Sequence, residues 1–377
     1  MVSGAGALDG QRRMGFAKTS PEKQAMNIMN LLPGCGNEYK ACLHTHTTVS
    51  DGHYSPAEIK KSYRKAGYSV VAFTDHELLR RHDDLADDSF LPLAGHEVAL
   101  WSHKYDRGEP KPHDRVHLNL IAVKPGLDAQ PWLDALQCAR YAKRDDGSPT
   151  PRWDYTAAEV DAARLEKHVR EHPDKSRYFD AETVRALVRE AREAGFLVAL
   201  NHPVWSHLSL ADADDFEGLW AVEVYNRDSE LTTSSGERDD FYDALLRGGR
   251  NPGLCCLATD DAHTKDHLCH GWVVIRAPHL DLPSIAAALE KGYFYASTGP
   301  TLQSARLEGN VVRAETSPCT TVRIIDAQGV VGSQMASVNE QSDWEFMLDR
   351  EPHGYVRMVA EALHGTKAWT MARPVPA

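Results

Sequence analysis

Two histidines two residues apart, His44 and His46, run into Ser50-Asp51-Gly52 and open a series of polar clusters that recurs along the chain. Thr74-Asp75-His76, Gly95-His96-Glu97, His117, Asn201-His202-Pro203, Glu223 and Asp260-Asp261-Ala262-His263 continue it. Imidazole nitrogens and carboxylate oxygens without thiolates form a donor set suited to Zn, Mn or Fe and not to a structural cysteine zinc. In extended chain, side chains two apart point to one face, so His44 and His46 can reach one cation, and so can Asp261 and His263. One cation takes about four to six ligands. Nine candidate ligands, His44, His46, Asp51, His76, Glu97, His117, His202, Asp261 and His263, therefore imply two to three divalent ions with a bridging carboxylate.

Each cluster alone has an ordinary reading. A His-x-His pair occurs on plain exposed strands, Asp75-His76 can cap a helix, Asn201-His202-Pro203 can be a turn, and a lone His117 is commonly a hydrogen-bonded core residue. What separates the functional reading from these is register: the clusters follow or end a run of short apolar segments. Those segments, at 40–43, 69–73, 91–94, 115–123, 196–200, 220–225 and 254–258, read as seven strands. Helical patterns lie between them. Ser55, Pro56 and Glu58 make a capping box with Gly67 as stop, and Ile59, Tyr63 and Ala66 form one apolar face. Val184, Leu187, Val188 and Ala191 form the stripe of a helix over 182–194. Further helices are expected at 132–141, 157–169, 238–246 and 282–290. Strand–helix alternation predicts an α/β fold with a parallel sheet, and a parallel barrel assembles its site at the C-terminal strand ends.

Around this barrel of residues 39–299 the sequence predicts three other regions. Residues 1–38 read as a leader with one helix over 20–32, opened by Ser20 and Pro21. The charged stretch 145–180 reads as a helical insertion. Residues 300–377 lose helical periodicity, and short apolar runs at 321–325, 344–348 and 355–360 between Gly, Asn, Ser and Pro predict a small β-sandwich.

Composition narrows the partners. Apolar residues make up 42% and charged ones 25%, which excludes a disordered or collagen-like chain. No apolar run approaches the length of a bilayer span, so no membrane partner is expected. Seven cysteines, an odd number without Cys-x-x-Cys spacing, point to a reducing cytoplasm. A net charge of −12 gives no basic footprint for duplex nucleic acid, but does not exclude a small phosphate ester held by metal.

The motif set resembles the polymerase and histidinol phosphatase (PHP) family of metal-dependent phosphoesterases. His44-Thr-His46 with Ser50-Asp51-Gly52, Thr74-Asp75-His76, Gly95-His96-Glu97, His117, Asn201-His202-Pro203 and Asp261-Ala262-His263 carry the likeness over about residues 40–300. The stretch from Gly292 to Pro300 before a β tail is similar to a subgroup with a small C-terminal β domain. The resemblance implies a distorted seven-stranded β/α barrel with a trinuclear site. By motif, His44, His46, Glu97 and Asp261 would hold one metal, Asp51, His76 and His263 a second, and Glu97, His117 and His202 a third. Departures are the segment Glu77-Leu-Leu-Arg80-Arg81-His82, where the family commonly has a turn of small residues, and the insertion at 145–180.

The implied reaction is hydrolysis of a small phosphate monoester or nucleotide-type ester with two to three divalent ions of Mn, Zn or Fe. Asp75 is expected to orient His76 or to cap a helix, Glu223 and Asn226 to support ligands or touch substrate, and Arg80, Arg81 or Lys265 to clamp a phosphate. Three rivals use the same residues: a phosphodiesterase or 5′-end nuclease on short single strands, a metallo-hydrolase of a carboxylic ester, carbamate or amide, and a non-catalytic metal-binding module.

Overall fold

A computed structural model describes residues 28–101, 115–127 and 181–375. The helices expected at 132–141 and 157–169 and the insertion at 145–180 lie outside the described residues.

The strands that carry the polar clusters are β2 (Asn37–Cys42), β3 (Tyr68–Phe73), β4 (Leu91–Trp101), β5 (Arg115–Ala122), β6 (Phe196–Leu200), β7 (Ala221–Asn226) and β8 (Cys255–Thr259). The strand at Ile28–Asn30 precedes them as β1. Beyond them come β9 (Trp272–Ala277), β10 (Phe294–Ser297), β11 (Leu302–Glu308), β12 (Val311–Cys319), β13 (Thr321–Asp326), β14 (Gly329–Met335), β15 (Gln341–Met347), β16 (Tyr355–Glu361), β17 (Lys367–Thr370) and β18 (Arg373–Pro374). The described α-helices are α1 (Pro56–Lys65), α2 (Ala181–Ala194), α3 (Arg227–Thr233), α4 (Asp239–Gly248) and α5 (Leu282–Glu290).

The fold is mixed α/β with large sheets, and two features differ from an all-parallel closed barrel. β5 runs antiparallel to both β4 and β6, and β9 runs antiparallel to β2. The hydrogen-bonded path β9-β2-β3-β4-β5-β6-β7-β8 also does not return on itself. The loops after β2 and β8 meet through a single parallel bridge between Thr45 and Ala262, in which His46 N–H donates to Ala262 O at 3.1 Å and Asp261 N–H to His44 O at 3.1 Å. That bridge brings the two richest polar clusters together. The antiparallel strand escaped prediction because a fully buried strand looks alike in either direction.

Local chemistry sets the helices. Ser55 and Glu58 form the capping box of α1, which buries Ile59 and Tyr63. α2 buries Val184, Leu187, Val188 and Ala191 on the sheet, and Gly195 ends it at a φ of 109°. β6 and β8 are buried along their whole length, as strands covered on both faces must be.

The expected helix over 20–32 fails in its described part. Residues 28–30 form β1, whose Ile28 pairs with Glu308 of β11. Long-range pairing overrides the local helical signal there. The tail strands do form two layers. β1, β11, β12 and β15 make one sheet, while β14, β13, β16 and β17 continue through β10 into the large sheet. Leu302, Leu307, Val312 and Trp344 from the first layer pack with Val322, Ile324, Met358 and Ala360 from the second, and Val274 of β9 and Tyr295 of β10 share that core.

Candidate metal centre

Six strands deliver eight of the nine candidate ligands to one place, and the turn after His46 brings the ninth, Asp51. His44 and His46 follow β2, His76 follows β3, Glu97 lies within β4, His117 within β5, His202 follows β6, and Asp261 and His263 follow β8. Glu97 is the hub. Its Oε1 lies 3.0 Å from His117 Nδ1, 3.3 Å from His202 Nε2 and 3.5 Å from His44 Nε2, and its Oε2 lies 2.9 Å from His76 Nδ1 and 3.3 Å from His46 Nε2. Asp261 Oδ1 is 3.1 Å from the Nε2 atoms of both His44 and His46. Asp51 Oδ2 is 3.2 Å from His263 Nε2 and 3.5 Å from His76 Nε2.

Donor atoms of His44, His46 and Glu97 lie within 4.8 Å of one another, as do those of His46, Asp51, His76 and His263, and those of His76, Glu97 and His117. These sets are competent to hold metal. They differ in membership from the sets implied by motif: His46 joins the Asp51 set, and His76 stands with Glu97 and His117, while His202 meets Glu97 from the side.

The donor chemistry tests whether a cation fits. His44 Nδ1 donates to Glu223 Oε1 at 2.7 Å, so a neutral His44 presents a bare lone pair at Nε2. That lone pair faces carboxylate oxygens of Asp261 and Glu97 and lies 3.2 Å from His46 Nε2. Lone pairs so opposed repel unless a proton or a cation lies between them. Without metal, protons fill this role: burial disfavours a charged His44, yet Asp261, Glu223 and Glu97 raise its pKa well above the ordinary range. Burial likewise opposes charge on Glu97, but His117, His76 and His44 hold it well below the usual carboxylate range. His263 is pushed up to about 10 because Asp51 outweighs its burial. His117 goes the other way, to about 4, because burial dominates over Glu97.

The supporting residues have defined contacts. Glu223 Oε1 also accepts from Thr259 Oγ1 at 2.7 Å, and its Oε2 accepts from His202 N–H and Asn226 Nδ2, both at 2.8 Å. Asn226 Nδ2 reaches Asp261 Oδ2 at 3.2 Å, while its Oδ1 caps α3 through Ser229 N–H. Both therefore position ligands. Asp75 accepts from the N–H and hydroxyl groups of Thr47 and Ser50 at 2.7 to 3.0 Å, so it holds the turn that carries His46 and Asp51. The helix-cap expectation fails, since no helix follows Asp75 before the short turn Asp83–Leu85. Gly52 completes that turn: a Cβ there would lie 2.5 Å from His46 O. His202 and Asp261 take positive φ values of 23° and 50°, uncommon for non-glycine residues and concentrated at functional sites.

The expected phosphate clamps fare less well. Arg81 is engaged by Asp83 and by Leu127 O, in a recess lined by Leu91, Pro92 and Lys124 at the start of β4. Arg80 forms a backbone bridge with Gly95, and Lys265 is exposed in the turn Lys265–His267. Two acidic or imidazole groups beside the site escaped the sequence reading, Asp228 in the first turn of α3 and His267. Neither belongs to a strand-end motif. Asp260, by contrast, faces away from the ligands, accepting from Tyr63 and from the N–H groups of Cys269, His270 and Gly271 at 2.6 to 2.8 Å, which fixes the loop bearing His267.

No protein-family model matches the chain, and no curated protein matches it. Among solved structures it is similar to a two-domain protein from Bacteroides vulgatus containing a predicted PHP-like metal-dependent phosphoesterase, with 13% identity over 93% of this chain and 99% of that one and a TM-score of 0.41. A Bifidobacterium adolescentis protein with a provisional designation as a metal-dependent phosphoesterase shares 20% identity over 62% of this chain and 90% of its own, with a TM-score of 0.34. An amidohydrolase from Chromobacterium violaceum with bound sulfate and no metal shares 17% identity over 60% of this chain and 88% of its own, with a TM-score of 0.35.

Proposed function

We propose that the chain is a metal-dependent phosphoesterase of the PHP kind that hydrolyses a small phosphate monoester or nucleotide-type phosphate ester. The observation that carries this reading is the opposition of the His44 Nε2 lone pair to Glu97, Asp261 and His46 within 3.5 Å, in a site reached by nine ligand-type side chains from six strands. Two to three ions of Mn, Zn or Fe would be held by His44, His46, Glu97 and Asp261, by Asp51, His76 and His263 with His46 adjacent, and by Glu97, His117 and His202 with His76 adjacent. Such cations, when bound, lower the pKa of water toward neutrality and neutralise charge on phosphoryl oxygens.

The chain's own residues supply position and electrostatics. Glu223 keeps the His44 proton on Nδ1, so that Nε2 stays a donor. Asn226 and Asn201 donate to Asp261 and Glu97, fixing carboxylates that would otherwise swing. Preorganised dipoles of this kind stabilise developing charge without reorganisation during the reaction. A reducing cytoplasm fits the free thiols of Cys35, Cys42, Cys255, Cys256, Cys269 and Cys319. Among the described residues no helix is long and apolar enough to cross a membrane.

Metal analysis joined to parallel assays on p-nitrophenyl phosphate, bis-p-nitrophenyl phosphate and p-nitrophenyl acetate tests the reading. Monoester turnover that disappears in His44→Ala and Asp261→Ala supports it. Turnover of the acetate alone, or unchanged turnover in both variants, overturns it.

A further inference from the structure

Trp205 packs against two of the candidate ligands. Its ring centroid is 5.2 Å from that of His117, at an interplanar angle of 47°, and 4.8 Å from that of His202, at 72°. Among the described residues no other tryptophan, tyrosine or phenylalanine ring meets a candidate ligand. The turn that carries Trp205 is held along its length. His202 N–H donates to Glu223 Oε2 at 2.8 Å, Ser206 N–H to His202 O at 3.1 Å and Leu208 N–H to Pro203 O at 2.9 Å, and the positive φ values of His202 and His207 bend the chain between them.

The two imidazoles differ in what stands behind them. A ligating imidazole ordinarily gives its second nitrogen to a hydrogen-bond partner, which fixes the plane of a ring whose χ2 is otherwise broad. His202 has such a partner: Nε2 lies 3.3 Å from Glu97 Oε1, and Nδ1 lies 3.4 Å from Ser206 Oγ. His117 does not. Its Nδ1 lies 3.0 Å from the same Glu97 oxygen, while its Nε2 is buried without a hydrogen-bond partner among the described residues. On that side only packing can set the plane of His117. Its ring neighbours are His76, His202 and Trp205, and the two imidazoles among them are candidate ligands that need fixing themselves.

We propose that Trp205 is a positioning residue for the ion that Glu97, His117 and His202 would share, its indole taking the place of the hydrogen bond that His117 lacks. An indole is a large, rigid contact surface, and here one ring restrains a histidine of β5 and a histidine beyond β6 together. The role rests on the metal-cluster reading above, and it goes beyond it by tying one ion of the set to a residue that donates nothing to metal. It is selective as well. Among the described residues Trp205 makes no ring contact with His44, His46 or His263, so the other ions do not depend on it in this way.

The test titrates the metal-free protein with Zn(II) against a chromophoric chelator, for wild type, Trp205→Phe and Trp205→Ala. Circular dichroism and thermal melting confirm that each variant is folded; Trp205→Leu, which keeps apolar bulk without an aromatic face, serves if Trp205→Ala is not. The expected result is that one zinc of the bound set weakens by about tenfold in Trp205→Ala while the remaining equivalents keep wild-type affinity, and that Trp205→Phe restores most of the loss. Co(II) gives a second readout: it should quench the part of the tryptophan emission that Trp205→Phe lacks, in the binding step that Trp205→Ala weakens. Wild-type affinities in a folded Trp205→Ala overturn the role, and so does an equal weakening of every bound zinc, the mark of a merely structural loss. Emission from Trp205 that Co(II) leaves unquenched overturns it too. A wild-type protein that binds no zinc overturns the underlying metal cluster instead, which separates the two failures.

Discussion

Replacing Glu223 by glutamine changes one atom and should trap His44 in the wrong tautomer. The carboxylate accepts four hydrogen bonds, from His44 Nδ1 and Thr259 Oγ1 at one oxygen and from His202 N–H and Asn226 Nδ2 at the other. A glutamine must point its NH₂ at one of these pairs. The His202 amide cannot become an acceptor, and Asn226 can turn its oxygen toward residue 223 only by giving up the cap on Ser229. His44 and Thr259 can both adapt, the hydroxyl by rotating and the imidazole by moving its proton to Nε2. The amide nitrogen therefore faces His44, and the proton lands on the nitrogen that metal needs. Changes to such supporting partners cost about 10–100-fold in metal affinity, or roughly 1.4–2.7 kcal/mol. The metal-free fold, with every buried group still paired, should lose only about 1 kcal/mol, a fall of roughly 2–4 °C in Tm for a domain of 150–250 residues. Competition titration with a zinc chelator and thermal melting of the metal-free variant measure the two quantities. Wild-type affinity in Glu223→Gln would refute the tautomer reasoning, and so would a loss of affinity matched by collapse of the fold.

Three other outcomes are expected. His44 and His263, both with raised pKa, carry protons at pH 7 in the metal-free protein, so metal uptake releases them and affinity rises with pH until His263 is stripped near 10. Calorimetric heats of binding that do not change with the ionisation enthalpy of the buffer would contradict this. Gly52→Ala places a Cβ against His46 O and should displace Asp51, lowering bound metal equivalents with the secondary structure intact by circular dichroism. Arg357, 1% exposed, pairs with Asp243 and Asp239 of α4, so Arg357→Ala should cost about 3–5 kcal/mol and Arg357→Met much less, read from denaturant midpoints; equal losses would rule out an uncompensated charge as the cause.

Much of the site was readable because strand-end chemistry is local. His44, His46 and Asp51 lie within eight residues, and Asp261 with His263 within three, so short-range spacing sufficed to nominate them. Asp228 and His267 were invisible for the opposite reason, since their proximity depends on how α3 and the loop after β8 are anchored. Asp75 was expected to orient its neighbour His76 or to cap a helix, but its bonds go to Thr47 and Ser50, some 25 residues away. Fold legibility followed the same division. Helices with caps and stripes, such as α1 and α2, were placed within a residue or two, whereas the antiparallel course of β5 and the recruitment of residues 28–30 to β11 depend on partners distant in sequence.

The passage of the large sheet from β9 through β10 to β17 has a bearing on how this chain can be divided. Cutting after Gly299 would strip β10 of its outer neighbour and lay bare Val274 and Tyr295, leaving a raw, adhesive margin on the half that bears the candidate ligands. The two halves consequently share one folding fate, and a tail that contributes no ligand still governs whether the ligands are ever assembled.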